Sequence, residues 1–326
     1  MWRLEHRQSV EHAESWRGPW MKAACGLAMI AALAFCGRNY LREIGRLRQA
    51  SPVPVIAVLL VYLINRSLDG EGLRIALVQL GHPINRFEAF LMSILGAYAN
   101  LVFPRGGLGA PAMYLKLRYG VGYTDFTSLV LFTSLLQVLA TSASGLLSLA
   151  AAKAMGGTPL NLGVACVFTA SLVAGILVML VRIKVPDSWH ARVVGFVRRL
   201  NGSLRLLGES KTLVLRTVVL QVLCVLLRTV RLQLAFFALG QEVNFSGTLV
   251  SSTLADLALF VSVTPASLGI REGIVAYGAT MMGTTPSMAV AAALLDRLIW
   301  TLAVIAMAQF GVWRLVPRAC ARHPAN

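Results

Sequence analysis

Seven apolar runs constrain this chain more than any other feature of its sequence. They lie near residues 53–65, 87–103, 127–152, 159–182, 213–239, 247–263 and 287–313. Crossing about 30 Å of hydrocarbon takes roughly 17–25 apolar residues, and most of these runs are that long. Because 57% of the 326 residues are hydrophobic and only 13% are charged, one soluble core cannot bury them. The sequence therefore predicts a multi-spanning membrane protein.

The apolar runs favour helices over a β-barrel. They are continuous and rich in Leu, Ala and Val, without the alternation that barrel strands need. We therefore expect an all-α membrane bundle of about seven or eight spans. Two shorter runs, 21–36 and 273–283, are marginal. The first follows three glutamates and lacks a small-residue cleavage site, so it is predicted to be a membrane helix rather than a removed signal peptide.

Positive charge is concentrated between the apolar runs. The net charge is +16, and the pattern is that of cytoplasmic loops rather than of a nucleic-acid-binding surface. The clusters are Arg38, Arg42, Arg46 and Arg48, six basic residues from Lys184 to Lys211, and Arg314, Arg318 and Arg322. This distribution predicts a cytoplasmic C-terminus. The side of the membrane on which the N-terminus lies is left open, because the tail before residue 21 is also basic.

These boundaries divide the chain into three predicted parts. A polar tail covers 1–20, a transmembrane domain covers 21–313, and a basic tail covers 314–326. Within the domain, segment 184–212 has apolar residues at three- and four-residue steps with arginines between them, which predicts a helix in the headgroup plane. It is either a contact for anionic lipid or an ordinary topogenic loop.

Several classes of chemistry lack a motif. The five cysteines are scattered without a C-x-x-C pair, and the five histidines lie outside the apolar runs, so no disulfide framework, metal site or cofactor is expected. Neither a phosphate-binding G-x-x-x-x-G-K-[ST] loop nor a G-x-S-x-G elbow is present. No enzymatic activity is therefore indicated.

The stretch NLVFPRGGLGAPAMYLKLRYG, from Asn100, interrupts one apolar region. A proline stops the preceding helix, and the glycines after it allow a tight turn. The predicted turn residues are Pro104, Gly106, Gly107 and Gly109, with Asn100 and Arg105 as candidate substrate-binding side chains. A broken helix or re-entrant hairpin is expected.

A second interruption lies in LFVSVTPASLGIREGIVAYG, residues 259–278. Pro265 is expected to end one helix, Ser267 to cap the next, and Gly269 to permit the turn between them. A helix is predicted to begin at Arg271 and Glu272 and to reach about residue 283. Irregular backbone at membrane depth is tolerated only inside protein or beside a wet cavity, so this site should face the bundle interior.

Three further charges within apolar runs are candidate partners, namely Asp256, Asp296 and Arg297. Arg271 is predicted to pair with either aspartate, and Glu272 with Arg297. Charges at this depth are functional-site candidates. The cluster either holds the hairpin in place or also binds substrate, and both roles are compatible.

Arg228 and Arg231 lie on one helix face at three-residue spacing. The favoured prediction is that they snorkel and pair with Glu242. The alternative is that they bind a lipid phosphate.

The two interrupted stretches share a pattern. Each has an apolar run, a proline, a turn with glycine and arginine, a short helix and another long run, with PRGGLG at 104–109 and PASLGIR at 265–271. Broken helices at corresponding positions of two halves point to a central site in repeat-built transporters. We therefore hypothesise an internal repeat, with an inverted arrangement of its two halves as one form of it.

The order of these features resembles the membrane region of lysylphosphatidylglycerol synthases and the wider family of flippase-like membrane proteins. The resemblance covers about 21–313, and PASLGIRE is its most specific part. The matching residues are Leu80-Gly81, Asn100, Pro104 to Gly107, Tyr114 to Lys116, Gly120, Pro265, Ser267 to Glu272, and Asp296-Arg297. Many relatives carry more charge in the first half, where this chain has Leu108 to Pro111, Ser134 and Gln137.

This resemblance implies a bacterial or archaeal inner-membrane protein that moves phospholipids or polyprenyl-linked glycolipids. Its expected partners are membrane lipids with anionic or lipid-linked headgroups. Aminoacyl transfer belongs to a separate soluble domain of full-length synthases, for which this chain leaves no room, so that activity is not expected. One alternative is a scaffold for a glycosyltransferase or lipid-modifying enzyme. Another is a membrane transferase that uses Glu272, Asp256 or Asp296 as a base.

Overall fold

A computed structural model describes residues 51–102, 106–154, 161–180, 201–202, 204–205, 207–261, 269–281 and 283–320. These residues form helices and the turns between them, with no strand among them, which confirms the predicted all-α fold. The predictions for 1–20, 21–36 and most of 184–212 lie outside the described residues. So do those for Pro104, Arg105, Pro265 and Ser267.

The helices follow the predicted runs closely. In chain order they are α1 Pro52–Gln79, α2 Arg86–Val102, a 3-10 turn Gly106–Leu108, α3 Gly109–Tyr119, α4 Tyr123–Ala154, α5 Leu162–Leu180, α6 Lys211–Ala238, α7 Phe245–Val261, α8 Ile270–Thr280 and α9 Pro286–Cys320. The described positions between 201 and 209 are also helical.

Helix lengths separate two groups of elements. Among the described helices, α1, α4, α5, α6 and α9 are long and apolar enough to cross a membrane. Helices α2 and α7 have 17 residues each, about 25 Å at 1.5 Å per residue, and both stop at a predicted break. Helix α1 runs well past the predicted apolar run 53–65 and reaches Gln79.

Apolar side chains cover the outside of the bundle. The segment Leu162–Met179 of α5 has a mean hydropathy of 2.4, and only 17% of its residues are buried. Leu162 and Leu177 on this helix are 74% and 54% exposed. Exposed leucines at this density would be costly in water and suit contact with lipid tails.

The chain contains two copies of one four-helix unit. Helices α1 to α4 have 28, 17, 11 and 32 residues, and helices α6 to α9 have 28, 17, 11 and 35. The same turn follows the first helix of each unit, LGHPIN at 80–85 and LGQEVN at 239–244. The internal repeat predicted from the two breaks is therefore present and extends over both units.

The two turns also share their conformation. Gly81 and Gly240 have φ angles of 84° and 71°, a region that favours glycine. The next backbone N–H in each turn donates to a carbonyl five residues earlier, at 2.9 Å from His82 and 3.0 Å from Gln241. An asparagine then caps the second helix of each unit: Asn85 Oδ1 accepts from Phe87 N–H at 3.0 Å, and Asn244 Oδ1 accepts from Ser246 N–H at 3.1 Å.

The first helices of the two units pack antiparallel. The Ser51 N–H donates to the Ala238 carbonyl at 3.0 Å near one end of the pair, Asn65 Nδ2 donates to the Cys224 carbonyl at 3.1 Å near the middle, and Gly72 lies beside Leu220. Other contacts between the units include a reciprocal pair, since α2 packs on α9 while α7 packs on α4. Such isologous contacts define a pseudo-two-fold axis, and antiparallel equivalent helices make the repeat an inverted one.

Candidate functional site

A cavity of about 540 Å³ lies where the two units meet. Its walls combine α1, α2, the 3-10 turn, α3 and α4 of the first unit with α6 to α9 of the second. The charged and polar residues among its lining are Tyr62, Arg66, Asp69, Ser93, Asn100, Thr133, Gln137, Gln221, Arg228, Arg231, Asp256 and Arg271. Residues of both interrupted stretches thus line one cavity, and the second stretch was predicted to face the bundle interior.

The predicted site residues divide into two sets. Asn100, Asp256 and Arg271 line the cavity, and Gly107 does so from the 3-10 turn. Glu272, Asp296 and Arg297 are buried beside it, with 2%, 0% and 6% of their surface exposed. Arg105 lies outside the described residues.

One chain of ion pairs joins both units. Arg66 Nη2 lies 2.8 Å from Asp69 Oδ2 on the same helix. Arg228 on α6 reaches Asp69 Oδ1 at 3.8 Å and Asp256 Oδ2 on α7 at 2.9 Å. Asp69 also accepts from Cys224 Sγ at 3.5 Å. These contacts connect α1, α6 and α7 through the cavity wall.

A second set of ion pairs is centred on Asp296 of α9. Its carboxylate lies 2.6 Å from Arg231 Nε and accepts from Arg271 Nη2 at 3.0 Å. The predicted pairing of Arg271 with one of the two aspartates is thus made with Asp296. A carboxylate shared by two buried guanidinium groups ties α6, α8 and α9 together, because charged partners at this depth lose heavily if separated.

Tyr62 links the two sets. The guanidinium carbons of Arg66 and Arg231 each lie over its ring, 5.5 Å from the ring centre. Both distances are within cation–π range. The tyrosine therefore holds one arginine from each chain of ion pairs in place.

Glu272 has two roles at the start of α8. Its carboxylate accepts from the Gly269 N–H at 2.8 Å and pairs with Arg297 of α9, as predicted for the second contact. The N-cap of α8 is Gly269, with φ of 84°, rather than the predicted Ser267. Because glycine offers no side chain, the glutamate one turn later satisfies the backbone N–H instead.

The favoured prediction for Arg228 and Arg231, snorkelling to pair with Glu242, was wrong. Both point into the bundle, where their side chains are 11% and 8% exposed, and their partners are aspartates on α1, α7 and α9 rather than Glu242. Glu242 lies exposed in the turn after α6. Snorkelling of Arg228 toward that turn would leave the buried Asp256 without the arginine that pairs with it.

Arg66 and Asp69 were not predicted as site residues, because the first predicted apolar run ends at residue 65. Their helical spacing could have identified them. Tyr62, Arg66 and Asp69 follow each other at four and three residues, as do Cys224, Arg228 and Arg231, and such spacing places each set on one helix face.

Asn100 holds the first break in shape. Its Oδ1 accepts from the Gly107 N–H at 2.7 Å, across the interruption between α2 and the 3-10 turn. A side chain on Gly107 would meet this asparagine at once, since its nearest atom is 2.4 Å from an ideal Cβ. The contact explains why the turn places a glycine at this position.

The two units differ in charge at equivalent positions. Arg271, Asp296 and Arg297 are the second residue of α8 and the eleventh and twelfth of α9. Ala110, Thr133 and Ser134 occupy the same places in α3 and α4. The second unit therefore has ion-paired residues where the first has neutral side chains, of which Thr133 lines the cavity.

Residues 14–308 match the family model described as the lysylphosphatidylglycerol synthase TM region. This chain belongs to that family. The match covers most of the chain and agrees with the expected resemblance, and the family's transmembrane region corresponds to both four-helix units. A search of curated proteins found no match to this chain. Among the described residues, no group of three or more His, Cys, Asp or Glu side chains is placed to hold a metal ion.

Proposed function

We propose that this chain is a lipid translocase that passes a headgroup through the cavity between its two units. The observation that carries the proposal is a cavity of about 540 Å³ lined by four arginines and two aspartates, inside a bundle of membrane-length helices. Ionisable residues at membrane depth are costly and usually mark a transport path. In repeat-built transporters the substrate site lies at the interface of the two repeats.

The size of the cavity suits a headgroup. Small-molecule sites typically enclose about 300–1,000 Å³, a range that includes this cavity. A phospholipid with both acyl chains is too large for it. The headgroup would enter the polar interior while the acyl chains stayed among the exposed apolar side chains of the bundle.

The transferase alternative receives less support from the ion pairs. Asp256, Asp296 and Glu272 each contact an arginine, so each carboxylate is already engaged in an ion pair within the protein. The scaffold alternative depended on segment 184–212, most of which is outside the described residues. The cytoplasmic C-terminus stays a prediction from the basic clusters, and a location in the cell membrane stays a prediction from the family resemblance.

The test is transport of headgroup-labelled lipids in liposomes. We expect the wild-type protein to move label between leaflets and Arg271→Ala to lose this activity. Arg74→Gln is the matched control, because Arg74 pairs with Glu71 and lies outside the cavity lining. Wild-type protein that moved no lipid class, while an enzyme co-purified with it, would favour the scaffold instead.

A further inference from the structure

The two sets of ion pairs, joined by the ring of Tyr62, are together called the interior ion cluster. Its seven charged residues are Arg66, Asp69, Arg228, Asp256, Arg231, Asp296 and Arg271. The cluster has four arginines and three aspartates, so one positive charge is left over. The neighbouring Glu272–Arg297 pair is neutral and does not change this balance. A surplus charge in a low-dielectric interior favours binding of one anion.

The cluster also has unused hydrogen-bonding groups. The Arg271 Nη1 and Tyr62 hydroxyl atoms are buried and make no hydrogen bond to the described residues. Their residues are 8% and 2% exposed, and both line the cavity. A guanidinium fork matches the geometry of phosphate oxygens. A ligand with such oxygens would therefore accept hydrogen bonds from both groups and neutralise the surplus positive charge.

The rest of the polar wall is neutral. Thr133, Gln137 and Gln221 line the cavity with hydroxyl and amide groups, and a buried Gln221 Oε1 makes no hydrogen bond within the described structure. Such groups bind hydroxyls well. They offer no charge to an ammonium group, and the cavity aspartates Asp69 and Asp256 are already paired with arginines.

We infer that the cavity binds a phosphodiester monoanion whose headgroup carries hydroxyls and no amine, such as a phosphoglycerol or a phosphosugar lipid. The inference rests on the proposed function in assigning the ligand to a lipid. An amine-bearing or aminoacylated headgroup adds a positive charge where the cluster already has a surplus. It is excluded by repulsion, a form of specificity against the wrong ligand.

Binding in detergent separates this inference from transport. Purified protein is titrated with phosphatidylglycerol, phosphatidylethanolamine and lysylphosphatidylglycerol, and bound lipid is counted by native mass spectrometry. We expect phosphatidylglycerol to bind at least about tenfold more tightly than the other two, as for a charge-assisted contact. Glycerophosphoglycerol and inorganic phosphate, added separately, distinguish a lipid from a free phosphate. If either binds as tightly as the lipid, the same phosphate site belongs to a water-soluble ligand.

Two variants change the surplus charge in opposite directions. Arg66→Gln leaves a neutral cluster and should abolish the preference for the anionic lipid. Asp69→Asn leaves two positive charges and should tighten its binding, because the amide retains an oxygen for Arg228. Both residues lie on α1, where Arg74→Gln serves as the control that alters a charge outside the cavity. A general folding defect cannot move the two variants in opposite directions.

Equal binding of all three lipids by wild type would overturn the inference, as would an anionic preference that Arg66→Gln leaves unchanged. The transport test gives an independent outcome. If the protein binds phosphatidylglycerol with this dependence on charge but moves no lipid, the binding site is supported and the translocase proposal fails. If the protein moves all lipids alike, the translocase proposal is supported and the selectivity by charge fails.

Discussion

Asp69 and Arg228 occupy equivalent positions in the two inverted units and contact each other as an ion pair at 3.8 Å. The same separation of 159 residues joins Asn65 to Cys224, which share a hydrogen bond of 3.1 Å. Residues that meet their own equivalents lie next to the pseudo-two-fold axis. The axis therefore passes through the wall of the cavity, and the candidate site is central to the repeat.

Removing the shared carboxylate of α9 should destabilise the protein strongly. Asp296→Ala leaves Arg231 and Arg271 buried without their common partner, an effect of roughly 3–5 kcal/mol for a broken buried pair. Thermal unfolding in detergent measures it. Glu209→Gln, which breaks an exposed pair with Arg205, is the control and should change little. An Asp296→Ala protein as stable as this control contradicts the assignment.

Two glycines on α8 should respond oppositely to alanine. A Cβ on Gly278 would lie 2.5 Å from Ser251 Oγ and 2.9 Å from its Cα, so α7 and α8 must move apart, at about 1–3 kcal/mol. Gly273 has no such neighbour within 4 Å. Gly273→Ala should instead be neutral or stabilising by up to about 1 kcal/mol. Unfolding midpoints of the two variants decide the matter, and equal midpoints would refute the close packing.

Labelling of single cysteines should reveal which side chains face lipid. Cys166 is exposed on α5 and Cys224 is buried beside the cavity. In proteoliposomes we expect a lipophilic maleimide to modify Cys166 and a membrane-impermeant, charged one to leave it unmodified. The other cysteines are replaced by serine, and detergent-denatured protein gives the full extent of labelling. Rapid modification of Cys166 by the charged reagent would place α5 in water.

Restoring the missing charges of the first unit should fill its half of the cavity. Ala110→Arg combined with Thr133→Asp recreates the positions of Arg271 and Asp296 in the second unit. We expect the double variant to fold and to move labelled lipid more slowly than wild type. Thr133→Asp alone should bind anionic lipid less well, because its carboxylate offsets the surplus charge. Unchanged transport by the double variant would argue against equivalence of the two positions.

Much of the fold was readable from the sequence because the apolar runs are long and end at prolines and glycines. The pairs of Arg271 with Asp296 and of Glu272 with Arg297 were also predictable, since few charges lie at membrane depth. In the sequence the repeat is visible only at the two breaks, because two helices can have the same length and packing without having similar residues.

The missed part of the site depends on contacts across the chain. Arg66 and Asp69 follow the end of an apolar run and resemble a loop until a buried partner is known. That partner, Arg228, is 159 residues from Asp69, so no local pattern joins them. Glu242 is the nearest acid to Arg228 along the chain, but the direction of a helix face is set by packing against other helices.

A symmetric dimer of one unit would place the same amino acid at both ends of the Asp69–Arg228 contact, since a residue beside a two-fold axis faces its own copy. Two aspartates or two arginines would repel each other there. Opposite charges at these positions require two separately encoded sequences, as after gene duplication and fusion. Two identical copies of either half therefore cannot rebuild this pair.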